Sequence, residues 1–327
     1  MAERGRALRL ALAALAALLP GCAGEGYEEA AAAPVARVEG PSAVLGGRLY
    51  VFGGFTHHDG RTLRATPRVD VYDPERGAWS QAAEMPAAIT HRNPAADGDS
   101  VWFAGGFAGD HPGPAVAEVW RYEIAADRWQ PGPPLPAPRA GGALARLGRT
   151  LHYVGGFGPD RRTTHGDHWA LDLDAPQGWA PRAPLPCSRG HLAGVPLGGR
   201  LHAVGGQHGH DGPHPDLACH HAYLPDEDRW LERATLPSPR SHFEPGAFVW
   251  RERIVIVGGR NNRAGQPTLA DVSLYDPARD AWSEARPLPL ALLAPVAAPL
   301  EGRLFVTMGS RDDWRHPQAQ SWLGPLP

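Results

Sequence analysis

The sequence predicts an all-β protein, a six-bladed β-propeller whose ring is closed by an N-terminal strand that completes the last blade. Three observations lead there. An apolar run ending in two glycines occurs five times and a sixth run ends in one, with the first glycine at positions 53, 105, 155, 205, 258 and 309, in steps of 52, 50, 50, 53 and 51. A period near fifty with one strongly apolar strand per unit describes a propeller blade, not a helical solenoid. After the glycines comes a tyrosine with a tryptophan seven residues later, in four of the units. Finally, Gly 40 and Pro 35 make up almost a quarter of the 327 residues, which is the turn chemistry of many short strands.

Taken in order, the units read as follows. The first runs Leu49-Tyr50-Val51-Phe52-Gly53-Gly54, then Val71-Tyr72-Asp73-Pro74 and Trp79. The second has Val101 to Gly106, Tyr122 and Trp129; the third has Leu151 to Gly156 and keeps Trp179, with Leu171 and Leu173 in place of the tyrosine. The fourth has Leu201 to Gly206, Tyr223 and Trp230, and the fifth Ile254 to Gly259, Tyr275 and Trp282. The sixth, Leu304 to Gly309, shows Ser310 where the second glycine is expected. Asp-Pro and Asp-Arg turns between tyrosine and tryptophan suit a short hairpin, and each aromatic pair is expected to pack one blade on the next.

Glycine pair, tyrosine and tryptophan in that order resemble the kelch repeat, and the resemblance covers nearly all of the chain after the first residues. It implies fold more than function, because kelch propellers serve as scaffolds, sugar-binding modules and enzymes. From each tryptophan to the next first glycine is 26 to 28 residues, and 26 before Gly53 lies Tyr27. Trp322 stands where the last blade's tyrosine belongs. Tyr27 to about Pro34 is therefore expected to supply that blade's fourth strand, removing exposed edges. The propeller is assigned to 27–327.

Ahead of it, Arg4, Arg6 and Arg9 precede an apolar stretch from Leu10 to Leu19, too short to span a bilayer but right for a signal-peptide core. Leu19-Pro20-Gly21-Cys22 resembles the lipobox of bacterial lipoproteins. By that resemblance residues 1–21 are removed, Cys22 is lipidated, 22–26 form a short tether, and the protein is exported and lipid-anchored in the cell envelope, facing the periplasm or the cell surface. Ala23, not an aspartate, follows the cysteine, which favours the outer membrane of a Gram-negative cell. The alternative is a plain secretory signal. Export means an oxidising compartment in which Cys187 and Cys219 either form a disulfide or remain two buried thiols.

The formal net charge is −3, all basic residues are arginine, and no basic tract runs along the chain. Nucleic acid is excluded as a partner on that ground, and no lysine means no Schiff-base chemistry. The expected partners are a small molecule, a glycan or a protein, with the membrane reached only through the lipid, and the chain is expected to be a monomer.

Ligands of such propellers sit on the face built by two sets of loops. Before the innermost strands, Arg37, Arg139, Arg189 and Arg240 share one register, with Arg92 nearby in the second blade. Two positions later come Glu39, His91, Gly141, His191 and His242, and two further on Asn93 and Glu244. Three histidines and a glutamate at one level of a ring suit a divalent metal in the axial channel, with His91, His191, His242 and Glu39 as ligands. The same set suits a carboxylated or hydroxylated molecule, with the Arg row and Asn93 as ligand-binding groups and Glu244 and His242 as acid and base. The bland alternative is an Arg row that only hydrogen-bonds backbone carbonyls. The second loop set carries His57, His58, His111, His165, His168 and, between Gln207 and His221, five more histidines; His208-x-His210 is a separate metal-binding spacing.

Two enzyme groups within the kelch superfamily bear on this. Bacterial sialic acid mutarotases are secreted six-bladed propellers that use acidic and arginine residues on this face, for which Glu244 beside Arg240 is the local candidate; the surrounding motif is not matched. Galactose oxidase has seven blades, a copper ion and a Tyr–Cys cofactor; no cysteine here stands where it would crosslink a tyrosine near the channel. The function expected from sequence is thus ligand or partner binding on the Arg/His face, with a sugar-modifying enzyme at the channel mouth as the alternative.

Overall fold

The computed structural model describes residues 26–57, 63–212, 214–262, 268–312 and 314–327. The expected signal segment, Cys22, most of its tether and His58 lie outside the described residues. Six four-stranded antiparallel sheets surround one axis. The first is Ser42–Leu45, Arg48–Phe52, Val69–Asp73 and Ala78–Ala82, and the next four repeat that meander. The sixth takes Val296–Leu300, Arg303–Thr307 and Ser321–Pro325 from its own segment and Glu28–Ala30 from the other end of the chain. Glu28, Glu29 and Ala30 pair with Leu323, Trp322 and Ser321, so the ring closes on the strand that the repeat arithmetic assigns.

Each second strand is the apolar run and is buried, because it lies inside its sheet with a neighbouring blade on each face; Val51, Phe52, Phe103, Leu151, Leu201 and Ile256 are fully buried. The first strands carry mostly small side chains toward the axis, and Ala43, Ala95, Ala145, Val195 and Ala298, with the larger Phe248 in the fifth blade, line an axial channel of about 450 Å³. Among the described residues no helix is long and apolar enough to cross a membrane.

The tyrosine–tryptophan spacing has a specific cause. In the second blade the Tyr122 hydroxyl donates to Asp127 at 2.6 Å, Asp127 accepts the Ala83 amide of the preceding blade at 2.8 Å, and the Trp129 indole donates to the Ala83 carbonyl at 3.1 Å. Tyr223, Asp228 and Trp230 hold Ala183 in the same way, as Tyr275, Asp280 and Trp282 hold Ala234. The hairpin between the two aromatics thus fastens both backbone groups of one residue in the blade before. Trp79 and Trp179 keep only the indole bond, to Ala31 and Pro133.

One register reading is corrected. The amide of the second glycine in a pair donates to the carbonyl two residues ahead of the channel-mouth position, as in Gly106 to Arg139, Gly156 to Arg189 and Gly206 to Arg240. In the sixth blade that bond is made by Gly309, to Arg37. Gly309 is therefore the second glycine of its pair, and Met308, at φ 57°, takes the place of the first. Ser310 sits one residue later, bridged to Leu293 as Phe157 is to Ala140. The second glycine is needed for space as well as φ. At Gly54, φ 96°, a Cβ would come within 2.8 Å of the Val38 carbonyl.

Candidate functional site: four imidazoles and a carboxylate at the channel mouth

Where the chain enters each innermost strand, one residue per blade adopts the left-handed backbone. Glu39, His91, Gly141, His191, His242 and Ala294 have φ of 58°, 56°, 65°, 49°, 55° and 46°. Only one of the six is glycine, although glycine adopts this conformation without strain. Backbone bonds tie these residues to one another around the axis, from Gly141 N to His91 O, His191 N to Gly141 O and Ala294 N to His242 O. The conformation turns Glu39, His91, His191 and His242 inward, as their shared register implies.

Each imidazole is anchored through Nδ1. His191 Nδ1 donates to Glu244 Oε1 at 3.0 Å, and His242 Nδ1 to Ser241 Oγ at 2.7 Å, whose own proton goes to Asp216 at 2.6 Å. His91 Nδ1 meets Thr90 Oγ1 at 2.8 Å. A fourth ring enters where the third blade has only Gly141: His210, from the loop after the fourth blade's glycines, donates Nδ1 to Asp211 at 2.6 Å. Arg161, itself buried, holds that loop through Asp211 Oδ2 at 2.8 Å and the Gly113 carbonyl at 2.7 Å.

The Nε2 atoms then converge. His91 Nε2 and His210 Nε2 stand 2.9 Å apart, Glu39 Oε2 is 3.2 Å from His91 Nε2, and Glu39 Oε1 is 3.5 Å from His242 Nε2. The sets His91/His191/His210 and Glu39/His191/His242 each place one ligating atom per residue within 4.8 Å of the others. His191 Nε2 and Glu39 Oε2 are buried without a hydrogen-bond partner. Burial holds His91 and His242 well below the usual histidine range, reinforced by neighbouring imidazoles, and pushes His210 down to about 3. It pushes the Glu39 carboxyl up to about 7. Rings anchored at Nδ1, with His191 Nε2 left without a hydrogen bond, are what a metal ion requires, second shell included, and a bound ion would replace the hydrogen bond between His91 Nε2 and His210 Nε2.

Above this cluster opens a cavity of about 380 Å³, lined by Phe55, Leu63 and Trp314, which belong to one apolar cluster, and by His111, Gln207, Asp211 and His214. Along the axis beyond the cluster, a space of about 20 Å³ bounded by His191, Asn93 and Glu244 leads to the 450 Å³ channel.

Several sequence expectations are placed differently. The Arg row faces the blades, not a ligand. Arg37 bonds to Gly53 O and Asp70, Arg139 to Asp167, Arg189 to the carbonyls of Gly205, Cys187 and Ala203, and Arg240 reaches Asp271 at 3.4 Å. Arg92 gives Nε to Gly105 O, as Arg189 does to Gly205 O. These side chains answer buried carbonyls that the tight glycine loops leave open. Asn93 likewise bonds to Gly142 O at 2.7 Å. Glu244 and His242 do not form an acid–base pair: Glu244 lines the far channel and orients His191, while His242 lines the near cavity. His210 belongs to the axial cluster instead of a separate loop site with His208. Its spacing after the glycine pair marked it as a loop residue, and only the vacancy at Gly141 signals where it goes. Cys187 and Cys219 are joined as a disulfide.

Comparison with known proteins agrees with the architecture. The family described as Kelch motif matches residues 36–86 and 243–289, within the first and fifth blades. The kelch-like protein terF of Aspergillus terreus is 25% identical over 294 residues, 86% of this chain and 52% of that protein. A kelch repeat-containing protein of Arabidopsis thaliana is 27% identical over 307 residues, 88% of this chain and 71% of that one. The chain therefore spans about half the length of the fungal relative. The solved structure of YjhT superposes with a TM-score of 0.65 at 16% identity, covering 76% of this chain and 84% of that chain, a likeness of fold.

Proposed function

We propose that this kelch-repeat propeller is an exported, lipid-anchored protein that binds a small molecule at its axial mouth, around a divalent transition-metal ion held by His91, His191, His210, His242 and Glu39. The carrying observation is His191 Nε2, buried without a hydrogen-bond partner, beside Glu39 Oε2, which makes no hydrogen bond and has His91 Nε2 at 3.2 Å, although every ring at the cluster is anchored on its other side. On a plain interaction scaffold those atoms would cost several kcal/mol in lost hydration with nothing returned. A bound ion satisfies both at once.

Imidazole-rich ligation with one carboxylate suits zinc, iron, copper or nickel and disfavours magnesium and calcium, which prefer all-oxygen shells. Such an ion supplies Lewis acidity to an oxygen of the bound molecule. The chain's own groups orient the rings from outside, through Glu244, Asp216 by way of Ser241, Asp211 and Thr90. Support for export and anchoring is the Arg-flanked apolar stretch and Leu19-Pro20-Gly21-Cys22.

Elemental mass spectrometry on the purified protein tests the centre. Near-stoichiometric metal that disappears in the double variant His191→Ala/His242→Ala is the expected result. Absence of bound metal from protein purified without chelators and then incubated with each of the four ions overturns the proposal. Radiolabelled palmitate incorporation that is lost in Cys22→Ser tests the anchor separately.

A further inference from the structure

The cavity over the cluster has an unusual division of labour. Its apolar side is Phe55, Leu63 and Trp314, and Trp314 is fixed from behind, with its carbonyl 2.8 Å from His57 Nε2 and the Arg260 guanidinium over its ring at 4.8 Å. The rest of its lining is polar by composition, yet most of those polar atoms are already engaged by neighbouring groups. Gln207 donates Nε2 to Gly209 O at 2.9 Å. Asp211 takes His210 on one oxygen and Arg161 on the other. His214 uses Nδ1 on Gly212 O and Nε2 on Arg260. His111 Nδ1 accepts from Arg161 at 3.0 Å.

That arrangement discriminates between ligand chemistries. A polyhydroxylated molecule such as a sugar would bury several hydroxyls against a lining with few unengaged groups, His111 Nε2 among them, and would leave the others unsatisfied. An anion would find no cation besides the metal, because Arg161 and Arg260 are turned to Asp211 and His214. A molecule with an aromatic body and a single oxygen for the metal would lose nothing by entering, and a cavity of about 380 Å³ is within the usual range for a compact organic ligand.

We infer that the cavity takes a small neutral phenol, its hydroxyl oxygen on the metal and its ring against Phe55, Leu63 and Trp314. This rests on the metal reading above and narrows it, replacing the glycan expected from sequence with an aromatic ligand.

The test uses the full chain loaded with cobalt(II), whose visible absorption reports a change of ligand, titrated with 4-methylphenol and with methyl α-glucopyranoside. The phenol is expected to shift the spectrum in a saturable way and the glucoside to give no saturation at concentrations ~100-fold higher. Trp314→Ala is expected to weaken the phenol by ~10-fold or more, as loss of a stacking wall does, with cobalt stoichiometry retained. Phe55→Leu, which keeps the wall's volume, is expected to weaken it severalfold and covers the case in which the tryptophan variant does not fold. Glucoside binding as tight as the phenol, or phenol binding indifferent to both substitutions, overturns the inference alone. A protein that takes up no cobalt overturns the metal centre, and the phenol site with it.

Discussion

Glu244 accepts the Nδ1 proton of His191 at 3.0 Å, the two side chains sharing the small space between the axial channel and the cavity that His91, His210 and His242 line. A carboxylate behind an imidazole fixes the tautomer and raises the basicity of the far nitrogen. Glu244→Ala is therefore expected to weaken metal affinity by ~10–100-fold without unfolding the propeller, whereas His191→Ala removes stoichiometric binding. Chelator competition on both variants checks this, and unchanged affinity in the Glu244 variant would show that the pair is not part of the centre.

Arg189 is fully buried and gives all three of its hydrogen bonds to carbonyls, those of Gly205, Cys187 and Ala203, with no acidic partner. Burial alone pulls its guanidinium down to about 9. Arg189→Met should destabilise the fold by ~3 kcal/mol, because three buried acceptors are left unmet, and should leave metal binding intact in the folded fraction. Urea unfolding measures the first and elemental analysis the second. A variant that is stable but has lost ligand affinity would return the Arg row to ligand binding.

Two pairs of buried histidines make stability depend on acid. His152 Nδ1 donates to His168 Nε2 at 2.9 Å and His168 Nδ1 to the Ala183 carbonyl at 3.1 Å; His202, His220 and Ala234 repeat the pattern one blade on. Burial pushes these rings down to about 3 to 4. The unfolded chain takes up protons near 6.5 and the fold only well below, so stability is complete above that value and falls as pH drops from about 6.5 toward 4. Each ring that stays neutral contributes ~1.4 kcal/mol of loss per pH unit in that window. Urea midpoints at pH 7.5, 6 and 5 should decline in that order, and a flat profile would contradict the neutral pairs.

The Cys187–Cys219 disulfide spans 32 residues and ties the approach to His191 to the fourth blade's outer half. Loop-closure entropy puts its removal at about 3–4 kcal/mol. Cys187→Ser/Cys219→Ser is expected to unfold at lower temperature, and equal thermal midpoints with and without reductant in the parent protein would argue against the bridge.

What the sequence revealed and what it hid follow from range. Period, aromatic spacing and closure at Tyr27 were legible because each is a local pattern repeated. The sixth glycine pair was read one residue out of frame because Met308 accepts a left-handed backbone that spacing reserves for glycine. The Arg row looked like an anion clamp because a shared register shows only that side chains are equivalent, not which way they face. His210 escaped because its place at the axis depends on a loop from one blade crossing to the gap left by Gly141 in another.

The ring of left-handed residues makes the channel mouth a socket with six interchangeable slots. Four are filled by Glu39, His91, His191 and His242, and two, Gly141 and Ala294, are blank. Since five of the six turns are made by residues other than glycine, the backbone turn comes from the fold and the side chain at a slot varies from blade to blade, although at Gly141 a Cβ would press on the Phe157 ring at 2.8 Å. Different chemistries could thus evolve on this scaffold by editing single codons at the rim, without inventing new loops.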